Sequence, residues 1–229
     1  VFYHYPTVLT FLASVVIIGS RQFALAVLAH DGAHNLLFSN SKINDFVSQW
    51  FCAYPIFQDN RVYRPYHLKH HRFTETEEDP DLVLSAPFPI NKKSFFRKVI
   101  RDLTGITGYK RYSSSLISIF QTEADSFPDK VSRIWNKIHG FLIVNFIVFI
   151  LISIFFHWSL FFLLWWLPAF TYYSLIIRIR NIAEHCVTPG ESDFDKTRTT
   201  KASLIIRFLL APHRVNYHLE HHLFMMCPW

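Results

Sequence analysis

Apolar positions along the chain gather into blocks of bilayer length. Residues 138–177 contain no Asp, Glu, Lys or Arg in forty consecutive positions. As a helix rising 1.5 Å per residue, such a block would extend about 60 Å, roughly twice a hydrocarbon core of about 30 Å. It therefore predicts two membrane spans, 138–156 and 160–178, broken at the polar and interfacial His157-Trp158-Ser159. Another span is predicted over 6–29, where only Arg21 and Gln22 interrupt the apolar run. Its uncharged start lacks the basic region of a secretory signal. Residues 43–57 are shorter and contain Asp45 and Gln49, the pattern of a re-entrant or interfacial helix. Ser203 to Ala211 is apolar but too short to cross, so it is expected in the interface or against the core.

The remaining segments, 61–137 and 179–229, are largely polar. Arg133 and Lys137 precede the long apolar block and Arg178 and Arg180 follow it, whereas the turn inside it has no basic residue. By the positive-inside rule both flanks are cytoplasmic and the turn lies outside. The expected architecture is all-α: polytopic transmembrane helices under a cytoplasmic, histidine-rich helical cap, in a single membrane-embedded domain over 1–229.

Composition agrees. The chain is 51% apolar and 17% aromatic, with 24 Phe and only 17% charged residues, which excludes disorder. Its net charge of +6 does not point to nucleic acid, because the fourteen Lys and Arg of residues 61–137 sit beside bilayer-length runs, where anionic lipid is the natural counter-surface. Cys52, Cys186 and Cys227 form no C-x-x-C, so neither a disulfide framework nor an iron–sulfur site is encoded. Any electron carrier must be another protein.

Histidine carries the chemistry. Nine of thirteen fall in four clusters: His30-Asp-Gly-Ala-His34, His67-Leu-Lys-His70-His71, Asn181-Ile-Ala-Glu-His185 and His218-Leu-Glu-His221-His222. Residues three and four apart share a helix face, so HxxxH aims two imidazoles at one point and HxxHH aims its rings toward a common side. With two spans between His71 and His185, the clusters return to the same face and can converge. Imidazole suits Zn, Cu, Fe or Ni. Eight or nine such ligands exceed the four of a tetrahedral zinc site, which implies two metals. Ligating His is neutral and passes its other N–H to an acceptor. Asp31, Asn35, Glu184 and Glu220 stand beside the clusters as such acceptors, with Asp79 and Asp81 after the second. His4, His139, His157 and His213 lack ligand spacing and are expected to be structural or interfacial.

The run from Tyr63 to Leu82, containing HLKHH and EEDPD, and the run Asn216-Tyr-His-Leu-Glu-His-His-Leu223 resemble the second and third histidine boxes of the integral-membrane fatty acid desaturase family. His30 to His34 is similar to its first box, and Asn181 with His185 to its NxxxH element. The resemblance extends over nearly the whole chain. It implies a non-haem di-iron centre held by His30, His34, His67, His70, His71, His185, His218, His221 and His222, with Asn181 as a weaker ligand. It further implies O2 as co-substrate, an external electron donor of ferredoxin or cytochrome b5 type, and a membrane lipid or acyl chain as substrate.

Acyl-CoA desaturases of animals and yeast have one more residue in the first box, so an acyl-lipid substrate is expected here. Hydroxylases and ketolases acting on lipids, alkanes or carotenoids share the three-box set and form the alternative enzyme reading. A membrane metal transporter, the non-enzyme alternative, would place His, Asp or Glu within the spans, but residues 138–177 offer only His139 and His157, near the ends. The chain starts at Val1 and stops seven residues after His222, and it reads as a fragment.

Overall fold

The structure is a computed structural model that describes residues 1–188, 190 and 192–227. Among these residues every regular element is helical. Three helices are long and apolar enough to cross a membrane: Val8–Ala33, Phe127–Phe155 and Phe161–Glu184.

The first, α1 (Val8–Ala33), starts at a reciprocal cap between Thr7 and Thr10. Its polar residues are matched to neighbours, as low-dielectric surroundings require. Arg21 donates to the Phe208 carbonyl and lies over the Phe208 ring, and Gln22 Nε2 donates to the Trp165 carbonyl at 2.6 Å. Phe23 and Val27 pack with Tyr173, Ile176, Ala211 and Val215 in the main apolar cluster.

The chain then turns back through α2 (Ser41–Val47), a π-helical stretch Ser48–Ala53 and a 3-10 turn Tyr54–Ile56. This covers the segment expected to be re-entrant or interfacial. Ala29, Cys52 and Ala53 seat it against α1. There follow α3 (Asn60–Phe73), the single turn α4 (Leu82–Ser85), α5 (Lys92–Leu103) and α6 (Ile106–Phe120).

The second long helix, α7 (Phe127–Phe155), begins eleven residues before the apolar block, because Ser126 caps it and Pro128 suits the first turn, where no N–H partner is needed. Its apolar side chains are mostly exposed, including Phe146 and Ile154, as a lipid-facing helix requires. Asn145 is its inward polar contact: Nδ2 donates to the Tyr54 carbonyl at 3.0 Å and Oδ1 accepts from Trp165 Nε1 at 3.2 Å.

The last long element is interrupted. A π-helical turn Phe161–Trp166 leads into α8 (Leu167–Phe170), and Thr171 separates this from α9 (Tyr172–Glu184). Pro168 lacks an N–H and cannot extend a regular ladder, which accounts for irregularity near it. Arg178 of α9 grips the fully buried Asp102 of α5 through two N–H groups, and Thr107 donates to the same carboxylate at 2.6 Å. The short α10 (Leu204–Leu209) exposes Leu204 and Ile205, while Leu210 and Ala211 after it pack with the main apolar cluster. A 3-10 turn Pro212–Arg214 and α11 (His218–Leu223) follow.

Two glycines set close approaches. A Cβ on Gly108 would lie 2.3 Å from the Phe170 carbonyl oxygen, and one on Gly140 2.1 Å from the Tyr54 ring. Gly108→Ala should therefore unseat α6 from α8 at a cost of about 1–3 kcal/mol. Thermal unfolding in detergent should show a lowered midpoint; an unchanged midpoint would mean the two helices do not meet at Gly108.

Candidate metal centre

The site forms where α1 stops. Asn35 adopts a left-handed conformation (φ 60°), which Asn tolerates better than most residues, and this ends the helix after His34. The carbonyls exposed there are taken by side chains from the next elements. Asn60 Nδ2 donates to Ala29 O at 2.7 Å and Asn44 Nδ2 to Gly32 O at 2.8 Å. Arg64 donates to Ala33 O at 3.0 Å and to Gly32 O at 2.9 Å. Arg64 lies one helical turn before His67, so one side chain fixes the first box against the second. Gly32 lets the π-helical stretch approach, since a Cβ there would sit 2.2 Å from that of Ser48.

The nine clustered histidines come together as two adjoining groups. One nitrogen from each of His30, His34, His67, His71 and His221 lies within 4.8 Å of all the others, and the same holds for His70, His185 and His222. His218 joins the second group, with Nε2 2.7 Å from that of His185 and 3.2 Å from that of His222. The HxxHH motifs therefore do not aim all their rings one way. Neighbouring residues on a helix are turned about 100° apart, so an i, i+4 pair serves one group while the residue at i+3 serves the other. His67 and His71 go to the first group and His70 to the second, whereas His218 and His222 go to the second and His221 to the first. His4, His139, His157 and His213 are in neither group.

Acceptors stand behind several rings. Asp79 is buried, takes His70 Nδ1 at 2.8 Å, and is itself fixed by the backbone N–H groups of Glu75 and Asp81. His30 Nδ1 meets Asp31 at 3.1 Å and His222 Nδ1 meets Thr74 Oγ1 at 3.3 Å. Glu184 Oε2 lies 3.9 Å from His218 Nδ1, and Glu75 Oε1 4.0 Å from His185 Nδ1. Asp81 Oδ2 is 3.8 Å from His70 Nδ1 and its other oxygen accepts from Tyr66. Asn35 Oδ1 instead receives Asn44 and Arg64, and Glu220 receives Thr199. Asn181 lies one turn before His185 and accepts from Cys186 Sγ at 3.6 Å. Thr74, Glu75 and Arg64 were not singled out from the sequence. The acidic run after the second box was the available signal for Glu75.

Burial favours the neutral form of seven of these rings. It lowers His34 to about 3, His71 to about 2 and His185 to about 3, with neighbouring histidines adding to the effect. His67, His218, His221 and His222 are pushed down for the same reasons. With Nδ1–H turned toward Asp79 or Asp31, the Nε2 lone pairs are left pointing inward. Ring nitrogens that face one another at 2.7–3.2 Å need a shared proton or a shared cation between them, and both ring nitrogens of buried His34 have no protein partner. The donor set thus fits transition-metal ions, with imidazoles already in the neutral form that binding needs.

The chain belongs to the fatty acid desaturase family, whose model matches residues 6–229. Among curated proteins, the dihydrorhizobitoxine desaturase of Bradyrhizobium elkanii is 29% identical over 227 residues. The match covers 92% of this chain and 62% of that relative, so the chain spans less than two thirds of the relative's length. No solved structure matches.

A histidine whose pKa falls from about 6.5 unfolded to about 3 folded binds fewer protons in the folded state. Its contribution to stability is complete above the unfolded value and is lost as pH falls toward the folded one. The metal-free protein should keep a constant thermal midpoint from about pH 8 to 7 and lose stability progressively below about pH 6.5. Bound metal should move that loss to lower pH, because protons then compete with the ion. A midpoint that stays level or rises on acidification would contradict the buried, neutral assignment.

Proposed function

We propose that this chain is the core of an O2-dependent membrane desaturase that introduces a carbon–carbon double bond into an acyl chain of a lipid. The observation that carries the reading is the convergence of nine buried or half-buried imidazoles into two adjoining groups. His30, His34, His67, His71 and His221 would hold one iron, and His70, His185, His218 and His222 the other, with Asn181 beside the second as a weaker ligand.

When bound, the iron pair supplies the oxidising chemistry. In the overall reaction two adjacent methylenes lose one hydrogen each, and O2 with two external electrons and two protons becomes two molecules of water. The chain's own residues do the rest. Asp79 and Asp31 hold His70 and His30 with the proton on Nδ1 and so turn Nε2 to the metal side. Arg64, Asn60 and Asn44 fix the end of α1 against α3. The α9–α5 pair of Arg178 and Asp102 anchors the segment that delivers His185. A reacting methylene offers no hydrogen bond, so selection among positions falls to the shape and depth of apolar surface.

The relative's name gives it dihydrorhizobitoxine as substrate, and we take for this chain only the reaction type that the name shares with the family. Cytoplasmic placement follows from the basic flanks, and electrons would come from a ferredoxin or cytochrome b5 type protein.

Expression of the complete gene with mass-spectrometric lipid profiling tests this. A new product lighter by two hydrogens is expected, falling to host background in both His70→Ala and His221→Ala, one from each group. Unaltered product in both variants would refute the metal assignment. A product heavier by one oxygen would instead establish a hydroxylase.

A further inference from the structure

The two histidine groups differ in their surroundings. In the first, Nδ1 of His34 and of His71 has no protein partner. Behind the second, carboxylates from two separate segments face three of the four rings: Asp79 at 2.8 Å from His70, Glu75 at 4.0 Å from His185 and Glu184 at 3.9 Å from His218.

We propose that Glu75 and Glu184 are positioning residues for His185 and His218, which with Asp79 form a carboxylate ring behind the second metal position. The inference rests on the di-metal reading above and adds to it which carboxylates support which metal.

Three observations carry it. First, the Nδ1 atoms of His185 and His218 are buried with no hydrogen-bond partner, and a carboxylate oxygen faces each at 4.0 and 3.9 Å, an electrostatic contact longer than a direct hydrogen bond. Second, the backbone of Glu75 is held at φ 59°, a left-handed conformation unfavourable for a side chain of this size. Its N–H is bound by Asp79 Oδ2 at 2.8 Å, so the residue that holds His70 also sets the turn that presents Glu75. Third, Glu184 is buried and paired with Arg180, which is in turn bound to the Val215 carbonyl. That pairing fixes the position of the carboxylate next to His218. A negative charge on the Nδ1 side favours the Nδ1–H tautomer and leaves Nε2 as the electron pair for the metal. Glu75 reaches from the second box to His185, and Glu184 reaches from the α9 end to His218 of the third box, so the ring also ties three segments together.

Purified complete protein in detergent, loaded with isotopically enriched ferrous iron, provides the test. Iron per chain is counted under chelator competition, and the two sites are followed by Mössbauer spectroscopy. The wild-type protein should hold two ions; fewer would overturn the di-metal reading itself. Glu75→Gln should weaken one ion by about 10–100-fold and shift one Mössbauer component, leaving the other ion and the thermal midpoint in place. Glu75→Asp should restore most of the affinity, and Glu78→Gln, at an exposed residue of the same run, should match wild type. Because Glu184→Gln alone would strand buried Arg180, it is combined with Arg180→Met, and the same single ion should weaken. Wild-type affinity for both ions in the Glu75 and Glu184 variants, or equal weakening of both ions, would overturn the proposal while leaving the di-metal reading intact.

Discussion

Nine imidazoles, buried or half-buried, must be brought together with ring nitrogens facing one another, and the rest of the molecule is arranged around that constraint. Taken alone the arrangement is unfavourable, since burial withholds the water that would satisfy each nitrogen and the converging lone pairs repel. It is tolerable because Asp79, Asp31 and Thr74 face the outer nitrogens of His70, His30 and His222 and because the inner electron pairs suit a cation. The long helices serve this cluster by where they end. Both α1 and the interrupted helix that closes with α9 stop at it, so the apolar membrane portion delivers polar ligands at its boundary, where neither lipid nor bulk water dominates.

Rigidity at that boundary comes from polar contacts in the cap rather than from a large apolar core. The end of α1 would present bare carbonyls, and Asn44, Asn60 and Arg64 fill them from the two elements that follow. The same logic recurs at Asp102, which gathers Arg178 and Thr107 and so joins α5 to α9. Each of these side chains does for the backbone, or for a buried charge, what water would do at a free surface. Glycines at positions 32, 108 and 140 permit the close backbone approaches that bring such partners into reach. The inward side of α7, by contrast, is held by Asn145 and Gly140 against the turn around Tyr54.

Much of this was legible in the sequence, for physical reasons. Forty uncharged residues can only be hidden by lipid, so the long apolar block was plain, as was the run leading into His30. The histidine spacing identified every ring of the two groups, because helical periodicity brings residues four apart to one face. The same periodicity, read as one common side, obscured the division between groups: the turn of about 100° between His70 and His71 separates neighbours that the motif writes together. Helix ends were less readable. The α7 helix starts with polar turns that hydropathy assigns to a loop, and Ser126 reveals it only as a cap. Outer contacts were least accessible. Asp31 and Asp79 sit close in sequence to the rings they meet, while Glu75 meets His185 across more than a hundred residues, a relation no local pattern contains. Asn35 and Glu220, adjacent to ligands in sequence, face Arg64 and Thr199 instead.

The exchange of neighbouring histidines between the two groups has a consequence for how the protein is made. Neither group can be completed from one stretch of chain. The first needs His221 and the second needs His218 and His222, so each waits for the third box even though its other ligands are synthesised much earlier. A nascent chain ending before that box has four rings of the first group but only His70 and His185 of the second, so the second pocket is the one that the last box builds. Under the di-metal reading proposed above, loading of the second position would be tied to completion of the last box, because His70 and His185 alone are two rings short of its set.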